Sequence, residues 1–251
     1  MSDLRLITSE RLSTYSSLLF AMSTRVGGIS PEPLGLNLSF RVRDDPANVV
    51  ENRKRLFGAL GISEAGSAIP HQCHSSNVQI VTGPGEYETC DGLITDVIGL
   101  PLVVTVADCL PIVLFDPVKK VIGLLHAGWR GTTQGIAAEA VGLMVKHFGV
   151  AANELIAYLG PSAGVCCYEV GGDVAQLFSL EDIEQRNDRL YLNLKRSNVD
   201  QLISCGLKED TIEVSPFCTI CHPQLFHSHR RDRTLSGRMM AVAGLLDQRK
   251  A

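Results

Sequence analysis

A cysteine and a histidine stand at the ends of two neighbouring apolar segments. Residues 103–106 lead towards Cys109, and residues 121–125 lead into His126. In sheet proteins, functional side chains gather at strand ends and in the loops that follow them. Cys109 and His126 are 17 positions apart. A turn at residues 116–120 would therefore place two adjacent strands side by side and bring these two side chains face to face.

A third group could complete a coordination shell for Zn²⁺ around this pair. It is His71 or His74, since both precede a short predicted strand at residues 78–81. Three protein ligands leave the fourth tetrahedral position open for water or substrate, which is typical of catalytic zinc. The ligands are far apart in the sequence, so their spacing alone does not distinguish a zinc site from a buried cysteine among core histidines.

The same residues allow two other kinds of chemistry. With Cys109 as the nucleophile and His126 as the base, the protein would be a metal-free cysteine hydrolase. Two histidines and a cysteine also suit a single copper ion, although seven histidines are too few for a multicopper oxidase. Asp108, beside Cys109, could hold a metal ligand in place through a hydrogen bond.

Arginines in several places could bind an anion such as phosphate. Arg230 lies in the basic segment 227–233, and Arg130 directly precedes a predicted helix. Asn37 and Arg53 belong to a second polar group nearer the N terminus. Guanidinium groups bind phosphate through paired hydrogen bonds, and helix N termini favour anions. A solvated charged surface is the alternative interpretation of these residues.

Eight cysteines in a chain with no recognisable export signal favour free thiols over a disulfide framework. The segment Cys218–His222 has the C-x-x-C-H spacing of haem attachment, and it also resembles half of a zinc finger. No second C-x-x-C is present, since Cys166 and Cys167 are adjacent. The pattern therefore favours a loop with free thiols over a haem or a structural zinc site.

The segments that must position these residues alternate between strands and helices. Asp45 followed by Pro46 predicts a helix start, and helical spacing continues to residue 60. The apolar run 102–115, interrupted at 107–109, predicts two strands, and residues 121–126 predict another. Further helices are predicted at 132–148, 171–178 and 197–205, and further strands at 155–159, 211–214 and 240–245. The predicted class is α/β (α+β), as one compact domain over residues 1–251 with mixed β-sheets flanked by helices.

Composition narrows the functional classes. The chain has 251 residues, of which 45% are hydrophobic and 20% charged, as in globular proteins and unlike disordered ones. A net charge of −4 gives no basic surface for nucleic acid. The longest uncharged apolar run, residues 97–107, is too short to span a membrane. We therefore expect a cytoplasmic monomer or small homo-oligomer that binds neither nucleic acid nor membrane.

Several longer motifs occur together from about residue 20 to the end of the chain. Among them are Gln72-Cys73-His74, Asp91-Gly92, Ala107-Asp108-Cys109-Leu110-Pro111, His126-Ala127-Gly128-Trp129-Arg130-Gly131, Cys167-Tyr168-Glu169-Val170-Gly171, Ser228-His229-Arg230-Arg231-Asp232 and Gly237-Arg238. In this set and order they resemble the YfiH-like laccase-domain family, described as multicopper polyphenol oxidases and as purine nucleoside phosphorylases. Ser75 departs from the glycine that is common in that family after the first histidine.

The resemblance implies a zinc site made by His74, Cys109 and His126, which selects His74 over His71. It implies that Cys109 and His126 act in catalysis, with Zn²⁺ as cofactor and Cu²⁺ as the alternative. The implied reaction converts adenosine, inosine, guanosine or methylthioadenosine and phosphate to a free base and a ribose 1-phosphate. Adenosine deamination is an implied companion activity, although the chain lacks the H-x-E motif of known zinc deaminases. Copper-dependent polyphenol oxidation is the alternative function.

Overall fold

The computed structural model describes residues 4–247, so the ends of the predicted domain, 1–251, lie outside the described residues. Within that range the chain forms fifteen strands and six α-helices. The strands are β1 (Leu6–Ile7), β2 (Leu18–Ser23), β3 (Ala68–Pro70), β4 (Val78–Ile80), β5 (Gly85–Tyr87), β6 (Gly92–Thr95), β7 (Leu102–Val106), β8 (Leu110–Asp116), β9 (Val121–Ala127), β10 (Ile156–Leu159), β11 (Glu169–Val170), β12 (Ile183–Arg186), β13 (Arg189–Leu192), β14 (Ile212–Val214) and β15 (Met239–Leu245). The helices are α1 (Pro46–Ala59), α2 (Trp129–Thr133), α3 (Ile136–Phe148), α4 (Gly172–Ala175), α5 (Leu194–Ser204) and α6 (His229–Asp232).

Two six-stranded sheets and one small sheet organise the chain. The first sheet has the order β1-β2-β15-β7-β3-β5, and the second has the order β14-β10-β8-β9-β6-β4. Each combines parallel with antiparallel pairs, for example β3 with β5 and β7 with β15. A third sheet, β11-β13-β12, lies beside them. The predicted class, α/β with mixed sheets and helices, is confirmed.

The first and second sheets pack face to face, and helices cover their outer faces. Side chains such as Val104 of β7 and Phe115 of β8 meet in the central core. Leu114, the neighbour of Phe115, points the other way and packs with Met144 of α3. Alternate residues of a strand face opposite sides of its sheet, so strands with two buried faces read as the continuous apolar runs seen in the sequence. The result is a helix–sheet–sheet–helix arrangement.

The helix that the Asp45-Pro46 pair predicts is confirmed as α1. The Asp45 side chain accepts a hydrogen bond from the Ala47 amide at 2.9 Å, and Pro46 occupies the first turn. At 14 residues α1 is the longest helix. None of the helices within residues 4–247 meets the length and hydropathy that a membrane span requires.

Three helix boundaries differ from the prediction. The segment 132–148 is not one helix but two, because Gly135 between α2 and α3 adopts a φ of +78°. Helix α5 begins before residue 197, since the Asn193 side chain caps it by accepting a hydrogen bond from the Arg196 amide at 3.1 Å. The segment 171–178 contains only the four-residue helix α4.

Candidate metal centre and its cavity

Three distant segments bring His74, Cys109 and His126 together. His74 lies between β3 and β4, Cys109 lies in the turn between β7 and β8, and His126 lies near the end of β9. One ligand atom from each residue lies within 4.8 Å of the other two. The predicted turn after β8 is present, and the antiparallel register pairs Pro111 with His126. That register places the Cys109 turn beside His126.

The backbone is unusual beside these residues. His74 adopts a φ of 62° and Asp108, the neighbour of Cys109, a φ of 84°. Non-glycine residues seldom occupy this left-handed region, and where they do the conformation is often tied to a functional site. Two of the three segments therefore turn sharply where they present a candidate ligand.

Asp91 connects two of the three candidate ligands. Its Oδ1 lies 2.8 Å from His126 Nδ1, and its carboxylate also accepts hydrogen bonds from the backbone amides of Cys73, His74 and Ser75 at 2.7–3.1 Å. Burial raises the pKa of Asp91, but hydrogen bonds from His126 and Ser75 outweigh that effect and hold the pKa well below its ordinary value. The ionised carboxylate fixes the His126 ring and the His74 loop together.

The metal-free site favours a negative sulfur next to a positive imidazole. Burial raises the pKa of the Cys109 thiol, but the charge and hydrogen bonds of His126 and His74 lower it to about 6. Burial lowers the pKa of His126, whereas Cys109 and Asp91 raise it to about 9. The surroundings therefore stabilise a thiolate together with positive charge, which a divalent cation could supply.

The donor set fits a zinc ion. In a tetrahedral site with Zn–N distances near 2.1 Å and a Zn–S distance near 2.3 Å, the ligand atoms are about 3.4–3.7 Å apart. A separation of up to 4.8 Å needs only small side-chain adjustments to reach that geometry. Gly128 leaves the necessary room, because a Cβ at that position would lie 3.1 Å from Cys109 Sγ and 3.3 Å from His74 Cδ2.

Asp108 does not contact a candidate ligand through its carboxylate. Its oxygens accept hydrogen bonds from Thr219 Oγ1 at 2.6 Å, Ser228 Oγ at 3.0 Å and the Arg230 amide at 2.6 Å. It thus anchors the C-terminal segment that carries Arg230. The carboxylate that the structure places against a candidate ligand is that of Asp91, at His126.

The candidate ligands open into a cavity of about 460 Å³, a size usual for small-molecule sites. Two of the predicted anion-binding residues, Arg130 and Arg230, line it. Arg130 stacks over Trp129 at 4.3 Å and Arg230 over Tyr168 at 5.0 Å. The other lining residues are Ser39, Arg41, Gln72, Thr105, Ala107, Asp108, Trp129, Tyr168, His229 and Arg238, with the three candidate ligands.

Asn37 and Arg53 do not line this cavity. Asn37 is buried, and its amide donates to Ser39 and Asp44. Arg53 donates to the Leu38 carbonyl at 2.7 Å and also pairs with a glutamate. These contacts shape the loop before α1, so the structure does not bring Asn37 and Arg53 together with Arg130 and Arg230 at the cavity.

Sequence reasoning missed Asp91 and Arg238 as site residues. Asp91 is separated by 35 positions from His126, and spacing gives no indication of their contact. Its signal was its place in Asp91-Gly92, one of the motifs that carry the family resemblance. Arg238 precedes β15, whose neighbour β7 leads into the Cys109 turn. Only the strand order reveals that the two ends meet at the cavity.

The fold and site together define a mixed α/β protein with one thiolate–imidazole centre beside an arginine-lined cavity. The chain belongs to the family described as multi-copper polyphenol oxidoreductase laccase, whose model matches residues 19–246. This confirms the family resemblance found in the sequence.

Individual relatives match along most of their length. The chain is 40% identical over 232 residues to a purine nucleoside phosphorylase of Deinococcus radiodurans, which covers 90% of this chain and 88% of the relative. It is 35% identical over 249 residues to the purine nucleoside phosphorylase YlmD of Geobacillus stearothermophilus, covering 92% and 91%. The crystal structure of the Bacillus licheniformis protein YfiH matches with a TM-score of 0.90 at 31% identity, covering 96% and 98%.

Proposed function

We propose that this protein is a zinc-dependent purine nucleoside phosphorylase. The observation that carries the proposal is the convergence of His74, Cys109 and His126 at one end of a cavity that four arginines line. Relatives at 35–40% identity over most of the chain carry the name of this activity. The substrates are purine nucleosides, among them adenosine, inosine, guanosine and methylthioadenosine, together with phosphate.

Phosphorolysis breaks the bond between ribose C1′ and the purine nitrogen and forms a bond between C1′ and a phosphate oxygen. Positive charge develops on the sugar, and negative charge develops on the departing base, which takes up the proton that hydrogen phosphate gives up. Preorganised charges that match this distribution lower the barrier. Arg130 and Arg230 are suited to bind the phosphate, since stacking on Trp129 and Tyr168 limits their motion.

The orientation of the His126 ring follows from Asp91. The carboxylate accepts a hydrogen bond from Nδ1–H, so Nε2 carries a free electron pair for a metal ion. A zinc ion held by His74, Cys109 and His126 would supply a Lewis acid that neutralises charge on the base or positions the nucleoside. The Cys109 thiol, with a pKa of about 6, provides a thiolate ligand at neutral pH.

Chromatography of adenosine incubated with the zinc-loaded protein tests the proposal. We expect adenine and ribose 1-phosphate only when phosphate is present. The variants His74→Ala, Cys109→Ser and His126→Ala should lose turnover by on the order of 10³-fold, about 4 kcal/mol of barrier. Cys205→Ser, which changes a half-buried thiol far from the cavity, is the matched control. Full turnover in the three ligand variants would contradict the assignment.

The same experiment tests the other chemistry that the family suggests. Inosine formed with or without phosphate would identify adenosine deamination as a companion activity. Bound copper with oxygen-dependent dye oxidation would favour a polyphenol oxidase. Within the described residues, the only group of candidate ligands that includes imidazoles is His74, Cys109 and His126, which supports a single-ion centre.

A metal-free cysteine hydrolase is a second candidate, favoured by one observation. Asp91, His126 and Cys109 have the order of contacts found in orienting acid, base and nucleophile. Rapid alkylation of Cys109 that zinc and chelators do not alter would support this function. Under the phosphorylase proposal, zinc should protect Cys109, because its sulfur is then a ligand.

A further inference from the structure

A second group of sulfur ligands lies outside the cavity. One sulfur from each of Cys166, Cys167, Cys218 and Cys221 lies within 4.8 Å of the other three, and Cys166 Sγ is 3.5 Å from Cys221 Sγ. Four sulfurs around a tetrahedral zinc ion are about 3.8 Å apart. We propose that these four cysteines, the tetrathiolate cluster, form a structural zinc site distinct from the centre at His74, Cys109 and His126.

Backbone amides around Cys218 stabilise a thiolate. The Gly164 amide donates to Cys218 Sγ at 3.2 Å. The backbone amides of Cys221 and Ile220 also donate to this sulfur. The thiolate is the form that binds zinc. Folding therefore prepares the most buried sulfur of the cluster as a ligand.

The backbone forces the two halves of the cluster together. Ser162 and Cys218 form an isolated parallel β-bridge, and the Thr219 amide donates to the Ser162 carbonyl at 2.9 Å. A Cβ at Gly164 would lie 3.1 Å from Cys218 Cβ and 3.3 Å from Cys166 Sγ. The close approach favours glycine at this position. Two segments more than 50 residues apart are thus fixed with their sulfurs facing one another.

Two cations flank the cluster. Four thiolates and one Zn²⁺ carry a net charge of −2, which needs compensation in a partly buried place. Lys195 Nζ donates to the carbonyls of Ser215 and Phe217 at 2.5 and 2.8 Å, directly before Cys218. Arg186, which also pairs with Glu184, donates to the carbonyl of Cys166 at 3.4 Å. The charge around the cluster therefore suits a bound tetrathiolate.

A disulfide between Cys166 and Cys221, both exposed, is the competing arrangement. It would use two of the four sulfurs and would need an external oxidant to accept two electrons. Cys167 and Cys218 have no role in such a disulfide, although their sulfurs also lie within 4.8 Å of those of Cys166 and Cys221. Four converging soft donors favour zinc.

The cluster lies directly behind the cavity walls. Cys167 precedes Tyr168, which lines the cavity, and Cys218 precedes Thr219, which donates to Asp108. An ion in the cluster would tie both walls to each other. Its loss should loosen the cavity and lower thermal stability while the ligands His74, Cys109 and His126 remain intact.

Metal analysis of the full chain, purified under reducing conditions without chelators and dialysed after zinc loading, tests the proposal. We expect two zinc ions per chain in the wild type, one in Cys109→Ser, one in Cys221→Ser and two in the control Cys205→Ser. At most one ion in the wild type, lost entirely in Cys109→Ser, would overturn the proposal. A Cys166–Cys221 disulfide in the reduced preparation, detected by mass spectrometry, would also overturn it.

Cobalt substitution keeps the proposal testable if Cys221→Ser does not fold. Co²⁺ bound in Cys109→Ser should show strong sulfur-to-cobalt charge-transfer absorption, because four thiolates bind it. If Co²⁺ in Cys109→Ser shows no such absorption, the cluster is not a metal site. These readouts do not depend on turnover, so failure of the cluster and failure of the phosphorylase proposal give different results.

Discussion

The two groups of candidate metal ligands in this protein differ in almost every respect. The centre at His74, Cys109 and His126 has three mixed donors, opens into a cavity and is held by the charged Asp91. The tetrathiolate cluster has four identical donors and lies outside that cavity. Three ligands with an open position are typical of catalytic zinc, and four ligands are typical of structural zinc. The number of donors and the open space beside them, more than the residue types, distinguish a catalytic metal site from a structural one in this protein.

Among changes that leave all candidate ligands in place, Asp91→Asn should have the largest effect, because the neutral amide weakens the hydrogen bond to His126 and the contacts to the His74 loop. Loss of such a carboxylate partner costs roughly 10–100-fold in metal affinity or activity. We expect that loss in kcat/KM and in zinc affinity at the His74, Cys109 and His126 centre. Competition with a chromophoric chelator measures the affinity, and the tetrathiolate cluster should keep its zinc.

Asp96→Asn is the matched control, since Asp96 is exposed and lies five positions along the same segment. Its zinc affinity and kcat/KM should equal those of the wild type. If Asp91→Asn also leaves zinc affinity and kcat/KM unchanged, the Asp91 carboxylate does not hold the centre at His74, Cys109 and His126 in place.

A pair of glycine substitutions tests the two groups of metal ligands separately. In Gly128→Ala the new Cβ would press on Cys109 and His74, whereas in Gly164→Ala it would press on Cys218 and Cys166. We expect Gly128→Ala to reduce kcat/KM by about tenfold, about 1.4 kcal/mol, with little change in Tm. Compared with Gly128→Ala, Gly164→Ala should lower Tm and zinc content more and kcat/KM less.

Gly142→Ala serves as the control for both glycine variants. No atom lies within 4 Å of a Cβ built at Gly142, which is inside α3. Alanine in a helix interior is favoured by about 0.5–1 kcal/mol over glycine, so this variant should gain stability and keep full activity. Equal losses of kcat/KM in Gly128→Ala and Gly164→Ala would mean that the two sites act as one unit.

How well the sequence predicts each site depends on whether its residues lie on neighbouring strands or are brought together by tertiary pairing. Cys109 directly precedes β8 and His126 lies in β9, and one short turn joins these two strands. Their spacing therefore indicated that the two side chains lie close together. His74 required the family resemblance, because spacing left His71 equally possible. The tetrathiolate cluster was not predicted, since a β-bridge between Ser162 and Cys218 creates it. Tertiary pairing of this kind leaves no pattern near the adjacent pair Cys166–Cys167.

The same reason explains what was right and wrong in the fold. Helix α1 was predicted because its cap and proline act locally. The break at Gly135 was not, because a glycine in a helical pattern also fits an unbroken helix. The apolar runs of β7, β8 and β9 predicted strands but not their assignment to two facing sheets. That assignment depends on strand order, which no local pattern contains.

Acid stability gives the smallest expected effect and uses a residue outside both metal sites. His227 is fully buried, and burial, assisted by Arg25 and Arg238, lowers its pKa to about 3. In the unfolded chain a histidine has a pKa near 6.5. As pH falls below 6.5, His227 binds a proton in the unfolded state but stays neutral in the folded state, so the folded state loses stability.

The size of this loss follows from the two pKa values. Between pH 7 and pH 6 the free energy of unfolding should fall by about 0.7 kcal/mol from His227 alone. His227→Phe should remove that part of the slope, whereas His147→Gln, at an exposed site on α3, should leave it unchanged. Denaturant unfolding at several pH values, with saturating zinc, separates this term from metal release. If the free energy of unfolding of His227→Phe depends on pH as steeply as that of the wild type, the loss of stability in acid comes from the metal sites themselves. Protonation of their ligands would then be a further difference between the two sites.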